Sequence, residues 1–275
     1  MDRLDTLVST LSSAGFVAPE EEARELLARA GGDDALLDIL VGRRLMGEPL
    51  AWITGRIAFC GLELRVDPGV YVPRWQTEQL ARRAVELLPP AGVAVDLCTG
   101  TGAIARVLIA AQAGAHAHTQ AHAQAQPHTQ AQGAARVVAT DTDQRAVSCA
   151  RANGVETYCG DLFAPLPPNL EGHVDLVVGV VPYVPTPALD LLQRDTLTFE
   201  SPLSYDGGPD GTDILRRVLT ESPRFLRSGG AVLVELGGEE ADALNGDLSR
   251  LGYVDVAVLL DEDDDVRGLE ATWSG

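Results

Sequence analysis

The feature that most restricts the possible folds is an apolar strand that turns through glycines directly into a helix. It runs from Val95 to Ala105 with the sequence Val-Asp-Leu-Cys-Thr-Gly-Thr-Gly-Ala-Ile-Ala. Glycine lets the backbone approach a ligand closely, and the first turn of the following helix presents unpaired N–H groups. Similar turns also serve nicotinamide enzymes or simply allow tight packing. The segment predicts a strand of an α/β sheet with a ligand site at its carboxyl end.

Apolar segments of strand length recur along the chain, and helical segments lie between most of them. The predicted strands are Ala94 to Leu97, Arg136 to Ala139, Glu156 to Tyr158, Val174 to Val178, Ala231 to Leu236, Val254 to Leu260 and a last one near Leu269 to Trp273. Strands that alternate with helices predict a Rossmann-like, doubly wound α/β sheet. Ligands of such sheets bind at the carboxyl ends of the strands.

Two shorter units precede this sheet. Residues 1–56 carry apolar residues at helical spacing and predict a small helical bundle. Residues 57–76 change to short alternating runs, namely Ile57 to Phe59, Leu62 to Val66 and Val70 to Val72, and predict a β-hairpin linker. The remaining domain, residues 77–275, begins with a predicted helix from Thr77 to Leu88.

Residues 113–133 interrupt this last domain with a segment made almost wholly of Ala, His, Gln and Thr. Such a composition predicts a disordered, low-complexity insertion, here at the amino edge of the sheet and away from the ligand site. Its histidines could hold a metal ion, but we attribute them to the biased composition and predict no metal site. They are His116, His118, His122 and His128.

The net charge of −19 and the absence of Lys exclude several functions. A strongly acidic surface repels phosphate backbones, so no nucleic-acid partner is expected. Without Lys, Schiff-base chemistry and the Lys of a phosphate-binding P-loop are excluded. The four scattered cysteines indicate no zinc site or disulfide framework, and no apolar run approaches the roughly 18 residues of a membrane span. We therefore expect a cytoplasmic protein with no membrane partner.

Asp141 ends the predicted strand that starts at Arg136, at the same edge of the sheet as the glycine loop. An acid in this position can accept hydrogen bonds from both ribose hydroxyls of a nucleoside, a charge-assisted contact worth roughly 1.5 to 3 kcal/mol. Asp141 could instead cap the helix that starts near Gln144, a position that Asp143 could fill equally well.

Asp161 follows the next short strand, in the sequence Gly-Asp-Leu-Phe. Its carboxylate can accept a hydrogen bond from an adenine amino group, while Leu162 or Phe163 covers the ring. A glycine loop, a ribose acid and an adenine acid, in this order at the ends of successive strands, predict a site for S-adenosylmethionine. The predicted cofactor-binding residues are Asp96, Thr99, Gly100, Gly102, Asp141, Asp161 and Leu162.

Several motifs, in order along nearly the whole chain, carry a resemblance to a known family. They are Glu48 to Gly55, Val66 to Val70, Pro73 and Arg74 with Thr77 and Glu78, Asp96 to Ala105, Asp161 to Phe163, and Asp206 to Gly208 with Asp210 and Gly211. With them the chain resembles the HemK-like protein-(glutamine-N5) methyltransferases, which methylate the glutamine side-chain amide of release factors. The resemblance implies a helical substrate-binding domain, a hairpin linker and a seven-stranded class I methyltransferase domain. It also implies S-adenosyl-L-methionine as cofactor and S-adenosyl-L-homocysteine as product.

The chain departs from this family where the acceptor binds. The family carries Asn-Pro-Pro-Tyr after the fourth strand, and the Asn side chain with an adjacent backbone carbonyl holds the substrate amide. Here Val180, Val181, Pro182 and Tyr183 stand in these positions. A valine side chain forms no hydrogen bonds, so a buried amide would lose roughly 1 to 3 kcal/mol per unpaired group, together with its alignment. We therefore expect another acceptor, a small molecule of secondary metabolism.

Two further departures lie near this position. Cys98 replaces the first glycine of the loop, and Trp75 stands where the family has Pro. An aromatic side chain beside Arg74 can line a pocket for a flat substrate or pack at a hinge. The predicted substrate-binding residues are Arg74, Trp75, Val180, Val181, Pro182 and Tyr183. The predicted catalytic residues are Tyr183 and Glu200, the latter from a loop rich in Pro and Gly that borders the site.

Two alternatives to a small-molecule acceptor remain. The first is a protein acceptor, either the glutamine amide or another group, and the N-terminal helical bundle favours it. The second is reuse of the fold without methyl transfer, as a cyclase that acts on a cofactor-derived adduct or as a binding protein. Replacement of the family's Asn by Val180 is compatible with this second alternative.

Overall fold

The computed structural model describes residues 2–123, 135–192 and 198–275. The helices are α1 (Arg3–Ser13), α2 (Pro19–Ala30), α3 (Asp34–Leu45), α4 (Leu50–Thr54), α5 (Thr77–Leu87), α6 (Ala103–Ala123), α7 (Gln144–Ala152), α8 (Asp213–Phe225) and α9 (Gly238–Arg250). The strands are β1 (Arg56–Phe59), β2 (Leu62–Arg65), β3 (Val93–Leu97), β4 (Arg136–Asp141), β5 (Glu156–Cys159), β6 (Val174–Gly179), β7 (Leu226–Glu235), β8 (Tyr253–Leu260) and β9 (Val266–Trp273).

The first four helices pack around their own small core. Asp2 caps α1 with a capping box, and α2 starts at Pro19, a residue suited to the first turn because it lacks an N–H group. Leu11 and Leu26 are among the fully buried residues of this core. The indole N–H of Trp52 in α4 donates to the carbonyl of Val70 at 2.9 Å, which attaches the helices to the segment that follows the hairpin.

Strands β1 and β2 form the predicted antiparallel hairpin, with Phe59 opposite Leu62. Cys60 and Gly61 make the two-residue turn, and both have positive φ, as a type I′ turn requires. The third predicted run forms no strand. Val70 and Val72 are buried instead, and the N–H of Val72 donates to the side chain of Glu200 at 3.0 Å rather than to a neighbouring strand.

The large sheet has seven strands in the order β5-β4-β3-β6-β7-β9-β8. The first five strands in this order, from β5 to β7, pair in parallel. Strand β9 is antiparallel to both of its neighbours, β7 and β8. The predicted Rossmann-like α/β fold is confirmed. Strands β4 and β6 lie on opposite sides of β3, so the direction of winding reverses there. A crevice forms at such a switch point, at the carboxyl ends of the strands.

Helices cover both faces of this sheet. Residues of α5 and α6, such as Leu80 and Leu108, pack on one face, and residues of α8 and α9, such as Leu219 and Leu244, pack on the other. Each of these leucines is almost fully buried, and burial of such a side chain contributes roughly 1.5 to 3 kcal/mol. The covered sheet is therefore a rigid base for loops at its carboxyl edge.

Helix α6 runs on to Ala123, into the segment from Ala113 for which the composition predicted disorder. Ala and Gln have high helix propensity, so they can extend a helix whose first turns are already stabilised by packing on the sheet. The rest of the segment, residues 124–133, and the side chains of its four histidines lie outside the described residues. Within the described ranges, no helix combines the length and apolar character needed to cross a membrane.

Candidate active site

The glycine loop after β3 departs from ordinary backbone geometry at three places. Cys98, Gly100 and Gly102 have φ values of +53°, +56° and +80°. This left-handed region costs an L-residue roughly 1 to 2 kcal/mol, which explains why the family has glycine where this chain has Cys98. A Cβ atom on Gly102 would lie 2.9 Å from Val155 and 3.1 Å from Ala150. Gly102 therefore allows close packing against α7.

Asp96 holds the loop onto the start of α6. Its side chain is 1% exposed, and Oδ2 accepts hydrogen bonds from the Thr99 hydroxyl at 2.6 Å and the Ala105 N–H at 3.2 Å. Burial raises the pKa of Asp96 to about 7. The side chain thus organises the turn that presents the loop to a ligand.

Asp141 links the loop to the end of β4. Oδ2 accepts from the Gly100 N–H and Oδ1 from the Asp143 N–H, both at 2.9 Å. Burial raises the pKa of Asp141. Asp143, and not Asp141, caps α7, since it accepts from the Arg145 N–H at 2.8 Å. The capping alternative for Asp141 is therefore wrong, and each of its oxygens keeps a lone pair for a ligand.

A cavity of about 480 Å³ lies beside these residues and is called the cofactor cavity below. It is lined by Asp96, Thr99, Gly100 and Asp141, which are four of the predicted cofactor residues. Thr101 also lines it, and within the described part of the chain its buried hydroxyl has no hydrogen-bond partner. An unpaired buried hydroxyl costs about 1 to 3 kcal/mol, and this oxygen is shielded from the cavity as well as from solvent.

The other three predicted cofactor residues do not line this cavity. Gly102 packs against α7, as described above. Asp161 is 56% exposed on its side chain and pairs with Arg217 at 2.7 and 3.2 Å. Leu162 has a φ of +43° and points into the hydrophobic core, where it is buried. The geometry therefore gives no support to an adenine contact from Asp161 and Leu162.

A second cavity, of about 600 Å³, is called the acceptor cavity below. It is lined by Arg74, Trp75, Val180, Val181 and Tyr183, which are five of the predicted substrate residues. The sixth, Pro182, lines the cofactor cavity. Trp75 lies at the rim with 75% of its surface exposed, so it packs at no hinge within the described chain.

The two cavities share three lining residues, Tyr71, Val180 and Ser204. Val180 therefore stands at the junction between them, at the position where the family has Asn. The strand register explains this place, because Gly179 at the end of β6 pairs with Leu97 of β3 and with Val234 of β7. Cys98 and Val180 directly follow β3 and β6, and Glu235 is the last residue of β7, so all three lie at the carboxyl edge of adjacent strands.

Glu235 is a site residue that the sequence prediction missed. It is 7% exposed, it lines the acceptor cavity, and burial raises its pKa. Oε2 accepts from the Thr77 hydroxyl at 2.6 Å, and Oε1 accepts from the Tyr183 hydroxyl at 3.1 Å. An acid at the end of the apolar strand Ala231–Leu236 is the same signal that pointed to Asp141, and it could have identified Glu235.

Glu200 lies in neither of these two cavities. Its side chain is buried, Oε2 accepts from Arg74 at 2.5 Å, and Oε1 accepts from the Val72 N–H at 3.0 Å. The Tyr205 hydroxyl donates to Glu200 and accepts from Arg74 at 2.9 Å. These bonds fix Arg74 under the ring of Tyr71, whose centroid is 5.2 Å from the guanidinium. Glu200 therefore holds Arg74 in place, and the geometry gives no support to its predicted catalytic role.

Comparison with known proteins gives consistent results. No family model matches the chain. The chain is 36% identical over 260 residues to the release factor glutamine methyltransferase of Mycolicibacterium smegmatis. This match covers 86% of the chain and 85% of that protein. It is 35% identical over 222 residues to the release factor glutamine methyltransferase of Geobacter sulfurreducens, which covers 78% of this chain and 70% of that protein.

Among solved structures, the ribosomal protein L11 methylase from Lactobacillus delbrueckii subsp. bulgaricus matches with a TM-score of 0.50 and 17% identity. The match covers 77% of this chain and 86% of that one. At this identity the likeness concerns the fold alone.

These relatives contradict the expectation of a small-molecule acceptor from secondary metabolism. They match most of the chain, and their names state a protein glutamine as the acceptor. The expectation was wrong because it treated the side chain at Val180 as the only source of hydrogen bonds to an acceptor. The structure places the polar groups of Glu235 and Tyr183 in the same cavity.

Proposed function

The chain belongs to the family of release factor glutamine methyltransferases, and we propose that it methylates the side-chain amide of a glutamine in a peptide-chain release factor. Family membership makes it a methyltransferase that uses S-adenosylmethionine, as the loop and the two acids predicted. It also favours methyl transfer over reuse of the fold as a cyclase or a binding protein. The proposed acceptor replaces the small molecule that the Val180 substitution suggested.

The junction of the two cavities is the observation that carries this proposal. One cavity lies at the ends of β3 and β4 and the other at the ends of β6 and β7, and they meet at Tyr71, Val180 and Ser204. Methyl transfer needs a donor and an acceptor held in line, and orientation of this kind supplies up to roughly 7 to 11 kcal/mol of catalysis. Two adjoining cavities on a rigid sheet edge provide such an arrangement.

The residues of the cofactor cavity fit an adenosyl cofactor. We propose that the free lone pairs of Asp141 accept the ribose hydroxyls. Asp96, Thr99 and Gly100 shape the loop around it. The cofactor supplies a methyl group already activated on a sulfonium centre, so the protein contributes binding, alignment and exclusion of water.

The acceptor side fits a protein better than an isolated small molecule. Arg74 lines the acceptor cavity and also a groove of about 380 Å³ that continues along Leu50 and Arg56. A polypeptide can lie in the groove while one side chain enters the cavity. We propose residues 1–56 as the substrate-binding domain, 57–76 as the linker and 77–275 as the cofactor domain. The predicted contacts from Trp75, Val181 and Tyr183 remain part of this proposal.

Incubation of the purified chain with S-adenosylmethionine and a release factor tests the proposal directly. We expect S-adenosylhomocysteine release and one added methyl group, which peptide mass spectrometry places on a single glutamine. A release factor with glutamate in place of that glutamine serves as the control and should gain no methyl group. Binding of the cofactor without methylation of any release factor would refute the proposed function.

A further inference from the structure

Glu235 is the only acid among the described residues that line the acceptor cavity. We propose that its carboxylate holds the acceptor amide by accepting a hydrogen bond from the amide N–H group, in place of the side chain that Val180 lacks. The inference rests on the proposed function and names the residue that binds the acceptor. It assigns Glu235 to substrate contact and leaves methyl transfer itself unchanged.

The strand register places Glu235 where such a group is needed. Gly179 and Val234 are partners in the parallel pair of β6 and β7, so Val180 and Glu235 are the next residues on these two strands. Adjacent strands lie about 4.8 Å apart, and side chains in matching register point to the same face. The side chain of Glu is longer than that of Val, so the carboxylate of Glu235 can extend into the space beside Val180.

Two hydroxyl groups orient the carboxylate of Glu235, one at each oxygen. The Thr77 hydroxyl, at the start of α5, donates to Oε2, and the Tyr183 hydroxyl donates to Oε1. Thr77 is itself buried, so this bond is shielded from water. Each carboxylate oxygen accepts two hydrogen bonds, and one site on each oxygen remains. One N–H group of an acceptor amide can donate to either of these sites.

Glu235 forms no ion pair within the described part of the chain, although the nearby charge of Arg267 partly offsets the rise that burial causes in its pKa. Arg267 lines the same cavity, but it pairs with Asp261 at 2.6 Å and with Asp265 at 3.2 Å. A buried acid without an ion pair is costly unless polar groups satisfy it. Its retention beside an acceptor site is explained if a substrate donor supplies the missing partner. Tyr183 then acts as a positioning residue through its bond to Glu235.

The Glu235→Gln variant tests the inference, because it keeps the side chain's size and removes its charge. We expect kcat/KM for the release factor to fall roughly tenfold to a hundredfold, as for a lost hydrogen bond to a charged group. Affinity for S-adenosylhomocysteine and the thermal midpoint should stay close to those of the wild type. Glu240→Gln is the matched control, since Glu240 is also 7% exposed but does not line the cavity, and its kcat/KM should be unchanged.

A double-mutant cycle with Val180→Asn separates substrate contact from a structural role. Asn at position 180 supplies a second holder for the amide, so Glu235→Gln should cost roughly threefold or less in that background. An equal loss in both backgrounds would show that Glu235 only supports the fold, and it would overturn the inference. A wild-type enzyme that methylates no release factor would instead refute the proposed function, and the inference with it.

Inhibition by a release factor with glutamate at the acceptor position provides a second measurement that does not depend on Val180→Asn. The wild-type carboxylate repels the glutamate, whereas Gln at position 235 can donate to it. We expect this protein to inhibit the Glu235→Gln variant at least about fivefold more strongly than the wild type. Equal inhibition of the two enzymes would contradict contact between Glu235 and the acceptor.

Discussion

The cofactor cavity and the acceptor cavity are built from different kinds of contact. In the cofactor cavity, Asp96 bonds to its near neighbours Thr99 and Ala105, and one bond, from the Gly100 N–H to Asp141, joins the glycine loop to the end of the next strand. The acceptor cavity combines residues far apart in the chain, and its central bonds join Glu235 to Thr77 and Tyr183. A residue of another strand can therefore compensate for a substitution in the acceptor cavity, whereas no other segment can replace a residue of the glycine loop.

The largest expected effect is at the glycine loop, and it tests how poorly this loop tolerates substitution. Gly102→Ala places a Cβ atom 2.9 Å from Val155 at a φ of +80°, so strain and overpacking add. We expect a loss of about 2 to 4 kcal/mol in the free energy of unfolding, measured by urea denaturation. Gly154→Ala is the control, because its φ is +83° but no atom lies within 4 Å of the added Cβ. Equal losses in both variants would show that packing at Gly102 is unimportant.

A smaller effect is expected at Asp141, and it should be confined to the cofactor cavity. Asp141→Asn removes the charge that accepts the ribose hydroxyls and should weaken S-adenosylhomocysteine binding by about 1.5 to 3 kcal/mol in calorimetry. Asp33→Asn is the matched control, since Asp33 caps α3 away from the cavity and Asn caps a helix as well as Asp does, so its cofactor binding should be unchanged. A similar loss in both variants would assign the effect to the change in net charge rather than to ligand contact.

The smallest effect is expected at the rim of the acceptor cavity. Trp75→Ala removes an exposed aromatic ring and should raise KM for the release factor by roughly fivefold, equivalent to about 1 kcal/mol, with kcat unchanged. Trp75→Phe should restore most of the affinity. A lower kcat or weaker cofactor binding in Trp75→Ala would show that a change at the rim of the acceptor cavity is transmitted to the cofactor cavity, which shares three lining residues with it.

Much of the fold could be predicted from the sequence because its signals are short-range. Alternating strands and helices predicted the seven strands of the sheet, and the glycine loop predicted the cofactor cavity at its edge. Predictions that depended on side-chain direction did less well. Leu162 points into the core, and Asp161 pairs with Arg217, because residues next to a strand end can face either side of the sheet.

The acceptor site shows what sequence patterns could not predict. The motif predicts Val180 at the acceptor site, and Val180 lines both cavities, but the effect of replacing the family's Asn depends on the residues around it. Glu200 looked like a free acid on a loop, whereas the structure surrounds it with Arg74, Tyr205 and the Val72 N–H. The loop sequence around Glu200 does not show that its side chain is buried among these three partners.

The sequence by itself determined the order of elements, the glycine turn and the acids at strand ends, since periodicity, glycine and chain order are local properties. Only the tertiary structure decided which of these acids faces an acceptor. Glu235 and Val180 come together because β6 and β7 pair in parallel, with Gly179 opposite Val234. Pairing between strands far apart in the chain is set by how the helices pack on the sheet, and no segment of the sequence contains that information alone.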